Sequence, residues 1–192
     1  MMTGLMVLGG ILLAVVAVVI VTYNGIIAGD NAVKRAWANV ITQERQKNKV
    51  IPELESLTKQ YSQFEEGLQQ KITQLRTAVD RIHSDAEKVS ADDLKNVELA
   101  TQQLMSGLRV SVENYPELKA SALFNNLMAE ISEQQENISA AIRIYNGNIE
   151  HFNNSIESFP GFIINGLFNK KETLSTFNDT QAEGGFEHKP TF

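Results

Sequence analysis

Apolar side chains first run almost unbroken and then settle into a three-and-four step along this 192-residue chain. The run is Leu5 to Val21, and no charged side chain precedes Asp30. A helix rising ~1.5 Å per residue over about residues 5–27 is long enough for a hydrocarbon core of ~30 Å. The pattern therefore predicts a transmembrane helix. A cleavable secretory signal wants a basic leading region and a small-x-small cut site, and neither is present. A buried core helix would need surroundings equally apolar on all sides, and no other segment supplies them.

Beyond the run the spacing is helical. Val33, Trp37 and Val40 begin a stripe that resumes at Ile51 and continues through Leu54, Leu57, Tyr61, Phe64, Leu68, Ile72, Leu75, Val79 and Ile82. Gln43, Glu44 and Lys47 interrupt it close to Pro52, which cannot donate a backbone hydrogen bond. Two readings are open there: one continuous, kinked helix, or a break near Asn48 to Ile51 with the chain folding back. Ser84 to Val89 reads as a connection, with Ser90 as N-cap and Asp92 and Asp93 in the first turn. Leu94, Val97, Thr101, Leu104, Leu108 and Val112 form the next stripe, and Tyr115-Pro116 a stop and restart. A last stripe runs from Phe124 to Ile156 and halts before Pro160. No strand-like alternation occurs.

The fold class is all-α: a transmembrane helix followed by an antiparallel bundle of long amphipathic helices, three of them, or four if the chain breaks at Pro52. The expected division is an anchor over 1–29, a bundle over 30–159, and an apolar segment with a flexible polar tail over 160–192.

Charge adds orientation. Lys34, Arg35, Arg45, Lys47 and Lys49 follow the span, and no Lys or Arg precedes it. The positive-inside rule then places the body in the cytoplasm, with the N-terminus outside. The net charge of −6, with bases scattered, is unsuited to nucleic acid. The absence of cysteine removes disulfides and thiolate metal sites.

The quoted positions, together with Tyr23-Asn24, Asn31, Ala36-Trp37 and Val50-Ile51-Pro52, carry a resemblance. Tyr115-Pro116-Glu117-Leu118-Lys119-Ala120, Glu136-Asn137-Ile138, Tyr145-Asn146, Phe152-Asn153 and Phe159-Pro160 extend it. The chain resembles the LemA family of bacterial single-span membrane proteins over nearly its whole length short of the last twenty residues. It departs from the family pattern at Asp30, at Thr42 and in the Arg45-Gln46-Lys47 run. The resemblance implies an antiparallel helical bundle on an N-terminal anchor, with no catalytic activity to carry over. Relatives are often encoded near membrane metalloproteases.

Candidate chemistry is sparse. Asp80, His83 and Glu87 share a helix face, but zinc sites usually need three or four converging ligands, and a solvated helix end is the simpler reading. His151 and His188 are isolated. No serine or acid is paired with a histidine at a catalytic spacing. No catalytic residue, metal or cofactor is expected.

Contact chemistry is richer. Gly10, Ala14 and Ala17, and separately Gly25 and Gly29, offer small-residue faces for close helix approach in lipid. Trp37 is either a stripe residue or an interfacial anchor. Phe162, Ile163, Ile164, Leu167 and Phe168 form an apolar segment that either meets a membrane or partner, or caps the bundle. Asn137, Asn146 and Asn153 recur beside the last stripe and either fix register or merely flank the core.

The reading that follows is a non-enzymatic scaffold that contacts lipid and self-associates as a homo-oligomer at the bacterial inner membrane. An adaptor for a membrane protease, or an extracytoplasmic helical sensor, are the alternatives.

Overall fold

The computed structural model describes residues 2–60, 66–84, 90–115, 118 and 121–177, with backbone only at 58–60, 66 and 83–84. Among these, every regular element is helical. Helix α1 spans Met2–Arg45, and a 3-10 turn follows at Gln46–Lys49. Then come α2 (Ile51–Gln60), α3 (Glu66–Ser84), α4 (Ala91–Asn114) and α5 (Ala122–Glu157). A short α6 (Gly161–Ile164) leads into a π-turn at Asn165–Asn169. The chain divides into two compact units. One is Trp37–Ile142; the other joins Met1–Ala36 to Arg143–Phe192.

In the Trp37–Ile142 unit, the buried side chains fall on the helical stripes. Val40, Ile51, Leu54, Leu57, Ile72, Val79, Ile82, Val97, Leu104, Leu127 and Ile138 are all enclosed. Each contributes about 1.5–3 kcal/mol on burial, so the stripes account for the core without a cofactor. Val50 stays right-handed helical (φ −83°, ψ −27°), its N–H donating to the Lys47 carbonyl at 3.1 Å. The chain thus tightens into 3-10 geometry ahead of Pro52 instead of folding back there.

The division falls further on. The expected seam from Ile51 to Ile82 belongs to two helices, α2 and α3, not one. Arg45 donates to the Ile82 carbonyl (2.8 Å) and Arg76 pairs with Glu55 (2.7 Å), so α3 runs back antiparallel. A hydrophobic period cannot tell one helix from two that present equivalent stripes. Tyr61 and Phe64, which carry the phase across, lie outside the described residues.

Helix α4 packs antiparallel on α3. At Gly107 an added Cβ would stand 3.5 Å from Leu68 and 2.9 Å from the Lys71 Nζ. Ser90 begins α4 as a full capping box: its hydroxyl accepts from the Asp93 N–H, and the Asp93 carboxylate accepts from the Ser90 N–H. These bonds hold the Asp93 carboxyl below its ordinary range. Tyr115 closes α4 in a non-helical conformation, and Ser121 accepts the Phe124 N–H at the start of α5.

The second unit packs α1 against α5. Ile26 and Val33 meet Ile149, Phe152, Ile156 and Ile164, with Val19 and Tyr145 at the margin. Gly29 allows this approach: a Cβ there would stand 3.3 Å from the Phe152 ring. Helix α5 ends at Glu157 as Pro160 predicts. Gly161 then passes so close under the Ser155 carbonyl that any side chain would fall on that oxygen.

Candidate functional site

Helix α1 is long and apolar enough to cross a membrane, and among the described residues nothing buries its most apolar stretch. Gly10, Ala14 and Ala17 lie on that exposed stretch, with open space around Gly10 and Gly25. Gly29, in contrast, is buried against Phe152 within the chain. Trp37 is half-buried in the other unit, and its side chain is engaged.

The apolar segment after Pro160 is split. Ile164 is buried among Ile26, Phe152 and Ile156. Phe162, Leu167 and Phe168 are 53%, 65% and 59% exposed, and Ile163 is also exposed. Asn169 donates to the Tyr23 carbonyl at 3.4 Å, which sets these side chains beside the end of the apolar run.

Residues Lys171–Phe177 run along α5 and are bonded by side-chain amides. Asn153 donates to the Leu174 carbonyl (2.8 Å) and accepts the Leu174 N–H (2.9 Å). Asn146 treats Phe177 the same way, at 2.8 Å for both bonds. Asn165 repeats the pattern with Lys171, at 2.8 and 2.9 Å. An asparagine amide offers one acceptor and a donor side by side, which matches the two groups of one peptide residue.

The spacing explains the fit. Two turns of α5 separate Asn146 from Asn153, ~10.5 Å at the helical rise. Three residues of extended chain cover ~10 Å, which matches that separation. Asn137 lies in the other unit, exposed, and takes no part.

The segment is clasped at its start by charge. Lys171 Nζ meets Asp30 at 3.0 Å, and Lys34 reaches the same oxygen at 2.9 Å. Burial pushes the Asp30 carboxyl up, but the hydrogen bonds and charges of Lys34 and Lys171 outweigh it and leave it below its ordinary range. Phe177 is buried at the far end.

A different polar feature lies in the Trp37–Ile142 unit. Glu44 and Lys47 are each 3% exposed and pair at 2.7 Å across the turn before Pro52. Burial raises the Glu44 carboxyl above its ordinary range, and Lys47 only partly offsets this. The neighbouring Arg45 Nε is buried without an acceptor among the described residues. The pair spans one helical turn. Among the described residues no group of three or more His, Asp or Glu could hold a metal. Asp80 is exposed on α3; the His83 side chain, Glu87 and His188 lie outside the described residues.

The family model for LemA matches residues 36–187, most of the chain. The chain belongs to the LemA family. Protein LemA of Metamycoplasma hominis is 31% identical over 136 residues, which are 71% of this chain and 60% of the relative. The chain thus spans about 60% of the length of that curated LemA relative. A single apolar helix followed by a helical bundle is the architecture found here.

Proposed function

We propose that this LemA-family chain is a self-associating scaffold of the bacterial inner membrane, with its N-terminus outside and its body in the cytoplasm. One observation supports the reading above others. Large apolar side chains from Met2 to Val18 stand exposed on every face of α1, and Phe162, Leu167 and Phe168 add to them beside Tyr23. Surface of this kind is stable only when covered by lipid or by another copy. Gly10, Ala14 and Ala17 share one face, on which a second helix can approach closely. The basic residues after the span support the orientation.

Particle size of the intact chain in mild detergent tests the assembly. Oligomers that dissociate in a Gly10→Leu/Ala14→Leu chain are expected; a strictly monomeric wild type at high concentration ends the reading. Protease added to intact cells should leave the body untouched; digestion would favour the extracytoplasmic sensor. The protease-adaptor alternative draws support only from the genomic neighbourhood of relatives.

A further inference from the structure

We propose that residues 159–168 form a second membrane contact, an apolar edge that dips into the lipid leaflet where α1 leaves the bilayer. The ligand is the phospholipid surface itself, acyl chains on one side of the edge and headgroups on the other. The proposal rests on α1 crossing the membrane, as in the scaffold reading, but not on self-association.

The composition of the segment permits it. Between Glu157 and Lys170 no side chain is charged, so this stretch can leave water without stranding an ion. Phe159 is 78% exposed, and Phe162, Ile163, Leu167 and Phe168 stand out with it. A water-facing turn seldom carries so many large apolar side chains together. A protein partner would have to supply a pocket for each ring, whereas fluid acyl chains fill in around them.

Place on the fold selects lipid as the occupant. About twenty residues of helix ending at Thr22 rise ~30 Å, the thickness of a hydrocarbon core. Tyr23 then stands at the boundary, where tyrosine rings settle. Two contacts hold the segment at that level. Asn169 donates to the Tyr23 carbonyl at 3.4 Å, and Ile164 is buried in the cluster that Val19 joins from the apolar run. The edge thus continues the apolar surface of α1, and an occupant arriving from water would have to reach it through headgroups.

Charge follows in the order a leaflet requires. Lys170 is exposed directly after the apolar stretch, and Lys171 is held by Asp30, seven residues past Tyr23 or ~10 Å along α1. An apolar edge followed by lysines matches the change from acyl chain to phosphate.

The test uses the full chain in phosphatidylcholine vesicles, with Trp37→Phe so that one introduced tryptophan reports alone. Phe168→Trp puts the reporter on the edge, and Thr173→Trp puts it past the lysines in the same unit. The probe is phosphatidylcholine brominated on the upper carbons of its acyl chains, which quenches tryptophan at short range. Quenching at position 168 should exceed that at 173 by about threefold or more, given an insertion of ~5–10 Å into the boundary. Bromine at the chain ends should quench position 168 less than bromine on the upper carbons.

Equal quenching at the two positions overturns the proposal, as does stronger quenching from the chain ends. So does a position 168 that brominated lipid leaves untouched; acrylamide then tells a ring in water from one covered by another copy. Flotation separates the two readings. A chain that does not float with the vesicles ends both, whereas a floating chain with position 168 unquenched ends this one alone. If Trp37→Phe loses helix content by circular dichroism, photoreactive benzoylphenylalanine at position 168 of the otherwise native chain takes its place. Phospholipid adducts support the contact, and adducts with protein alone overturn it.

Discussion

The two units handle polar groups beside an apolar core in opposite ways. The Trp37–Ile142 unit buries a full ion pair, Glu44 with Lys47, on a stretch of chain whose Val40, Val50 and Ile51 are also enclosed. The other unit sets neutral amides, Asn146 and Asn153, at a half-open surface, where they pair with main chain. A buried ion pair costs more in lost hydration than hydrophobic residues in its place, yet it cannot lose one partner without a large penalty. An amide bonded to main chain at a surface costs little to make and little to break. The charges commit one turn of chain to a single arrangement, whereas the amides hold a segment through neutral side-chain bonds that leave the backbone ladder of α5 untouched.

Single and double substitutions at the ion pair should give the largest effects. Lys47→Met strands the Glu44 carboxylate and should cost about 3–5 kcal/mol in urea unfolding followed by circular dichroism. Combining it with Glu44→Leu should return the chain to wild-type stability or raise it by about 1–4 kcal/mol. Failure of the double variant to recover would mean that the pair contributes more than its own satisfaction.

The amide side of the comparison should respond locally. Asn146→Ala with Asn153→Ala should cost about 1 kcal/mol per bond at most. Amide exchange should accelerate at Leu174 and Phe177 while the helical unfolding midpoint barely moves.

Acid should separate the charged clasp from the neutral ladder. The folded-state pKa of Asp30 lies below its ordinary value, so its contribution is present above that value and is lost as pH falls through the folded pKa. Only when pH falls below the ordinary aspartate range, through the lowered folded pKa, should the Lys171 end loosen while Leu174 and Phe177 stay bonded, because amides do not titrate. Residue-resolved NMR shifts would report this order; simultaneous release along the segment would contradict it. The smallest effect belongs to the partly exposed Glu55–Arg76 pair, where Arg76→Ala should change stability by no more than about 1 kcal/mol.

What the sequence reveals follows from periodicity. Every long stripe from Leu94 to Ile156 lies on a helix where its spacing predicts, and Ser90, Tyr115 and Pro160 mark ends because their local chemistry permits little else. The reversal between α2 and α3 is hidden because Tyr61 and Phe64 keep the phase across it. Gly29 looks like lipid-facing small-residue surface because spacing alone does not distinguish a partner in another molecule from Phe152 in the same one. The ladder is half legible: Asn146 and Asn153 stand visibly two turns apart, but their partners carry no pattern. Backbone bonds at Leu174 and Phe177 impose no side-chain pattern that a sequence reading could find.

Helix α1 passes from the apolar run to Asp30 with no glycine-proline joint or irregular turn between them. A stiff shaft of this kind transmits torque. Any twist imposed on its lipid-facing part by a thinner bilayer or a neighbouring span passes the Asn169 bond at the Tyr23 carbonyl and reaches Asp30, where the Lys171 clasp takes lateral load through a charged pair.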